Sequence, residues 1–318
     1  MSDVLNIVVL FLKSAVIAGT PLLFSIIGTM FNEKAGNTNL GVEGMMLLGA
    51  VAGFHTASST QNPLAALLAA CVFGALGALI YAFLTVTLRS NQVVTGLALT
   101  IFGTGLSRFW GQSLMGQVLS ESFTRFFRPL SIPFLAKIPV LGPVLSVFLE
   151  QDLFVYLGYV VAILSGIYLY NTRWGLNLRA VGENTAAADA SGINVTLYKY
   201  VHILLGGALC GLGGAYLSLV FVPSWQDNIT SGRGWIAVAL VIFTSWNPYK
   251  AIWGAILFGG LDIVGFRIQS LNIPVNQYFL RMLPYLATFL VVIVGSIRKS
   301  SRHNPPKDLG NPYFREER

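Results

Sequence analysis

Long apolar runs recur along this chain with few charges inside them, and that pattern excludes most folds. A bilayer core about 30 Å thick is crossed by roughly 20 apolar residues in a helix, and within it only helices and closed barrels can satisfy their backbone. The runs read as nine helical segments: Val8 to Phe31, Leu40 to Ala57, Pro63 to Leu88, Val93 to Trp110, Leu153 to Tyr170, Tyr198 to Val222, Gly234 to Trp246, Ala251 to Ile268 and Tyr278 to Ile297. The expected fold is an all-α membrane protein of about nine transmembrane helices, with a range of eight to ten. The second and seventh segments are short, flanked by glycine and preceded by polar residues, so broken or re-entrant helices are expected there. Gly111 to Asp152, with Pro129, Pro133, Pro139 and Pro143, reads as an extramembrane connection carrying short interfacial helices. Composition agrees, because 10% charged residues in 318 is far below the quarter or so usual in soluble domains.

The N-terminal run leads into further spans without a small-residue cleavage pattern, so it reads as a retained helix rather than a signal peptide. Cys71 and Cys210 lie in apolar runs and suggest neither a disulfide framework nor a metal cluster. Alternating spans place twelve of the twenty Lys and Arg on one side: Lys34, Arg89, Arg173, Arg179, Lys199 and Lys250, with Arg298, Lys299, Arg302, Lys307, Arg315 and Arg318 of the tail. By the positive-inside tendency that side is cytoplasmic, which puts the N-terminus outside and the C-terminus inside. The basic residues form no stripe beside an aromatic module, so nucleic acid is not an expected partner; membrane lipid is.

Between the fifth and sixth spans lies a polar, alanine-rich island, Leu178 to Val195. Its pattern predicts a helix of about two turns with Gly192 as its C-terminal stop. Two readings stand for it: a solvated loop helix, or a small-residue surface around which another protein's cleft closes.

A family resemblance favours the second. The stretch from Gly175 to Asn184, then Ala186 to Ala188 and Ser191 to Val195, resembles the coupling-helix region of ATP-binding-cassette importer permeases of the ribose and branched-chain amino acid superfamily. The motifs NTNLGVEGMMLLG from Asn37, GRGWIAVALVIFTSWNP from Gly232 and GAILFGG from Gly254 extend the resemblance, which lies closest to permeases of nucleoside uptake systems. It implies one type II-like permease domain over residues 1–318, with a cytoplasmic coupling loop at 171–198 and a cytoplasmic tail at 299–318. It also implies that Arg179, Gly182, Glu183, Asn184, Ala187, Ala188 and Gly192 couple the chain to an ABC ATPase subunit. Further implied partners are a second, paralogous permease and an extracytoplasmic substrate-binding lipoprotein. The chain has no G-x-x-x-x-G-K-[ST] phosphate loop, so ATP and Mg would be bound by the partner and no cofactor by this chain.

Polar residues in apolar segments supply candidates for the substrate path: Asn37, Asn39, Glu43, Asn91, Gln92 and Thr95. Glu43 reads either as an acceptor for hydroxyl or amino groups of a nucleoside, or as a carboxylate meeting a helix N-terminus. Asn91 and Gln92 either cap a half-helix or solvate a tight turn. Asp262 is five residues from Arg267, off its helical face, so its partner is expected on another helix, with Arg281 a candidate. Gly206, Gly207, Gly211, Gly213 and Gly214 permit close helix approach, as tight packing and a rocking permease both require. Phe221, Trp225 and Trp235 read as interfacial aromatics or as stacking faces. His55, His202 and His303 are too scattered for a metal site or a nucleophile–base pair, and no enzyme is expected. A permease for ribose-type sugars or branched-chain amino acids, an ATP-independent secondary transporter and a structural scaffold are the alternatives.

Overall fold

The computed structural model describes residues 2–132, 134, 138, 141–270, 277–297 and 305–314. In chain order its α-helices are α1 (Ser2–Lys34), α2 (Val42–Thr60), α3 (Pro63–Ala82), α4 (Gln92–Gly111), α5 (Glu121–Arg125), α6 (Leu141–Leu149), α7 (Leu153–Asn171), α8 (Arg173–Glu183), α9 (Thr185–Ala190), α10 (Val195–Tyr216), α11 (Arg233–Phe243), α12 (Pro248–Ser270) and α13 (Gln277–Ile297). Single π-turns at Phe83–Thr87 and Leu217–Phe221 extend α3 and α10. Each of the nine apolar segments falls on one of these helices. Among the described residues, five stretches are long and apolar enough to cross a membrane: Leu5–Lys34, Pro63–Thr87, Gln92–Leu114, Leu153–Asn171 and Val195–Phe221. The chain is therefore a multi-pass helical membrane protein, and α11, with 11 residues, is too short to cross.

The centre is α10, which packs on α1, α2 and α3. Its glycine row explains the closeness. A Cβ on Gly207 or Gly211 would run into the backbone of α3 at Gly74 and Ala70, one on Gly214 into the Met46 carbonyl of α2, and one on Gly206 into Gly28 of α1. Among lipid tails no hydrophobic drive separates helix from lipid, so van der Waals contact over glycine faces holds such helices together. Tyr216, Phe154 and Phe24 fill the adjoining core, with Phe154 edge-on to both at 5.1 and 5.4 Å.

Loops segregate to two ends. At one, Lys13 Nζ donates to Glu150 Oε2 at 2.8 Å, which holds the Glu150 carboxyl below its ordinary range. There too, Leu119 N donates to Pro223 O at 3.0 Å and Trp225 N to Gln117 O at 3.2 Å, tying the long connection with α5 and α6 to the segment after α10. At the other end lie the α1–α2 loop, the turn before α4, the α8–α9 region, the turn after α11 and residues 305–314. Arg89 stacks on Phe314 at 4.8 Å and Lys34 on Trp246 at 5.9 Å. The basic loops grouped from the sequence thus share one end of the bundle. The side chains of Lys137, Arg267, Gln269, Arg281, Arg298, Lys299, Arg302, His303, Arg315 and Arg318, along with Pro133 and Pro139, lie outside the described residues.

Candidate coupling face and broken-helix site

The island becomes two helices rather than one. α8 is amphipathic and begins at the Thr172 cap, whose Oγ1 accepts from Gly175 N at 3.0 Å. It breaks at Asn184, an extended residue whose Oδ1 accepts from Ala187 N at 2.9 Å and so starts α9. Gly192, at φ +81°, ends the unit in the left-handed conformation, as the sequence suggests. Burial then sorts the coupling candidates. Glu183, Asn184, Ala187 and Gly192 are exposed, Arg179 is half-buried over the Tyr170 ring, and Gly182 and Ala188 face inward. A Cβ on Gly182 would strike the Lys34 carbonyl, so its smallness serves the contact with α1 rather than a partner's cleft. The free surface is a ridge of small side chains, Ala186, Ala187, Ala190 and Ser191, with Glu183 at its edge.

The sequence marks residues 299–318 only as a cytoplasmic tail. The structure lays residues 305–314 against this unit. Asp308 N donates to Gly182 O at 3.0 Å, and Thr185 N donates to Asp308 Oδ2 at 2.5 Å. Tyr313 Oη donates to Asp189 Oδ2 at 2.7 Å, and Gly310 N to Gly36 O at 3.1 Å. A cavity of about 420 Å³ opens beside this contact, lined by Arg89, Gln92, Asp189, Lys199 and Tyr313 among others.

The second locus is the break before α2. Residues 37–40 lie outside any helix and pack beside α4 with Asn37 and Asn39 buried, where unpaired backbone is costly unless protein satisfies it. Four side chains do so. Thr38 N donates to Gln92 Oε1 at 2.7 Å, Tyr81 Oη to Thr38 O at 2.7 Å, Thr100 Oγ1 to Leu40 O at 3.0 Å, and Gly41 N to Asn39 Oδ1 at 2.8 Å. Gly96 and Gly103 let α4 approach this closely, since a Cβ on either would meet the backbone of 40–44.

Glu43 then reaches the start of α11. Its Oε1 accepts from Thr230 Oγ1 at 2.5 Å and Gly232 N at 2.8 Å, and its Oε2 from Gly234 N at 2.6 Å. It meets the N-terminus of another helix than its own, which three isolated residues 187 to 191 positions away did not signal. Arg233, first in α11, pairs with Asp262 of α12 at 2.7 Å, giving Asp262 the off-helix partner expected of it. Asn91 caps α4 by accepting from Val94 N at 3.0 Å, and Thr95 donates to Asn91 O at 2.8 Å. Asn37 is buried, and its Oδ1 has no partner among the described residues. Trp225 is a core residue, wedged under Gly111 and 6.0 Å from Phe54, while His202 is buried between Tyr168 Oη at 2.8 Å and Tyr198 O at 2.6 Å.

Glu43 thus joins the start of α2 to the start of α11 inside the bundle, and the small-residue ridge of α9 is exposed at one end of it. Residues 10–294 match the family described as branched-chain amino acid transport system / permease component. The chain belongs to that family. Three relatives match along nearly their whole length. A putative glucose ABC transporter permease, TsgC13 of Haloferax volcanii, is 36% identical over 96% of this chain and 97% of its own. The nucleoside ABC transporter permease NupC of Lactococcus lactis is 35% identical over 91% and 93%, and the guanosine ABC transporter permease NupQ of Bacillus subtilis 31% over 99% and 100%. A second permease from each of these organisms matches at 23 to 29% identity, with 70 to 73% of its length covered. This family member is thus an ABC importer permease subunit, and its relatives are transport subunits rather than enzymes. Such a permease works with ATPase and substrate-binding partners.

Proposed function

We propose that this chain is the shorter of two different permeases in a nucleoside importer. The observation that carries the substrate is the end-to-end likeness to two permeases named for nucleosides and guanosine. The broken segment adds chemical support: the buried Asn37 Oδ1 has no partner among the described residues and is an uncharged acceptor of the kind that suits a neutral, hydroxyl-rich solute, while Asn39, Asn91, Gln92 and Thr95 shape the segment around it through their bonds to backbone. Glu43 acts on this path by holding α11 in place. A second, longer permease in each of three organisms supports a heterodimer.

The exposed ridge of α9, with Glu183, Asn184, Ala187 and Gly192, is the surface offered to the ATPase, and Gly182, Ala188 and Arg179 set it in place from within. The end that carries it is cytoplasmic, and a lipoprotein delivers solute at the opposite end. Residues 1–318 act as one permease domain.

A sugar is the second reading, favoured by the relative named for glucose. The experiment that separates them reconstitutes the complex with its binding protein and measures substrate-stimulated ATP hydrolysis. Guanosine, inosine or cytidine stimulate it, and glucose, ribose or leucine do not. Stimulation by glucose alone would replace the nucleoside while leaving the permease assignment intact.

A further inference from the structure

A six-residue helix has little stability of its own, since a single turn of nucleation is unfavourable and few hydrogen bonds follow it. Yet α9 is the element through which, on the reading above, ATPase movement enters the membrane bundle, and a lever must be stiff. Its own sequence supplies Asn184 at the N-cap and Thr185 Oγ1 donating to Val181 O at 2.8 Å. The rest of its support comes from more than a hundred residues away. Asp308 accepts from Thr185 N at its first turn, and Tyr313 donates to Asp189 at its last. Between those two contacts Leu309 and Tyr313 pack into the same apolar cluster as Ala188, Val181 and Ile193. The segment is also anchored on the membrane side, where Gly310 N donates to Gly36 O at the loop that leads into the broken segment at 37–40.

We infer that residues 306–314 form a clasp in which Asp308 and Tyr313 are positioning residues, holding α9 at both ends and tying it to the α1–α2 loop. The inference rests on α9 being the ATPase-coupling helix and adds to it what keeps that helix rigid. The clasp leaves the outward ridge free, since Ala186, Ala187, Ala190 and Ser191 stay exposed with the tail in place.

The test compares Asp308→Ala, Tyr313→Phe and their combination with Asp308→Asn, which keeps an acceptor oxygen for Thr185 N. Asp308 also acts electrostatically on the buried Lys199. Tyr313→Phe changes no charge and so isolates the clasp from that effect. In the reconstituted complex the quantity read is ATP hydrolysed per solute moved, with amide hydrogen exchange at residues 185–191. The double variant is expected to raise the ATP cost per solute roughly threefold and to speed exchange at those amides about tenfold, as loss of two modest hydrogen bonds predicts. Asp308→Asn should stay close to wild type.

A merely structural role would lower uptake and hydrolysis in proportion and leave their ratio unchanged, which overturns the inference. Glu183→Lys serves as the control on the exposed ridge. Wild-type ratio and exchange in the double variant, with uptake abolished by Glu183→Lys, overturn the clasp alone. Wild-type uptake by Glu183→Lys overturns the coupling role of α9 and the clasp's function with it.

Discussion

Glu43 holds three donors with two oxygens, and two of those donors are amides at the start of α11 that have no intrahelical partner of their own. Replacing it by alanine leaves two buried donors and one half-buried donor without this acceptor, at a cost on the order of 3 kcal/mol, whereas glutamine still accepts through one oxygen and should lose less. The expected order of thermal stability of the purified protein is therefore wild type, Glu43→Gln, Glu43→Ala. Equal stability of all three would mean that these bonds do not hold α11. Glu183, by contrast, is exposed and buries nothing. Glu183→Lys should leave membrane insertion and stability within about 0.5 kcal/mol of wild type while abolishing uptake. A loss of folded protein in this variant would count against a surface role.

Small residues serve different purposes on different elements. On α10, Gly211 lies against Ala70 O and Gly74 Cα of α3, with Gly49 of α2 packed on its other side. Backbone cannot step aside as a side chain does, so Gly211→Val should cost at least the 1 to 3 kcal/mol typical of overpacking. The yield of folded, monodisperse protein in detergent is the measure. Gly105 on α4 has open space around its missing Cβ, so Gly105→Ala should be neutral or stabilising by up to about 1 kcal/mol. On the proposed coupling unit, Ala187→Trp should block uptake without unfolding, because Ala187 faces outward. Gly182→Trp should instead displace α8 from Lys34 and disturb the fold. Chymotryptic sensitivity of the two variants distinguishes these outcomes.

For the whole molecule, the two groups of loops at opposite ends turn orientation into a labelling experiment. With Cys71 and Cys210 replaced, Ser59→Cys at the far end of α2 should react with an impermeant thiol reagent on intact cells, and Ser191→Cys only after permeabilisation. Reaction of both from one side would break the proposed orientation. What could be read directly was periodic or local: where apolar runs lie, which loops carry charge, and the alanine run and Gly192 stop of α9. Apolar length and cap chemistry act within a few residues, so a single sequence displays them. Which polar groups meet was decided only by tertiary structure. Glu43 finds Thr230 and Gly234, Asp262 finds Arg233, and Asp308 finds Thr185, because crossing helices bring together residues that no sequence period relates. Gly182 shows the same division most plainly: its smallness was visible in the sequence, but whether that small face met a partner or the carbonyl of Lys34 depended on how α8 docks on α1.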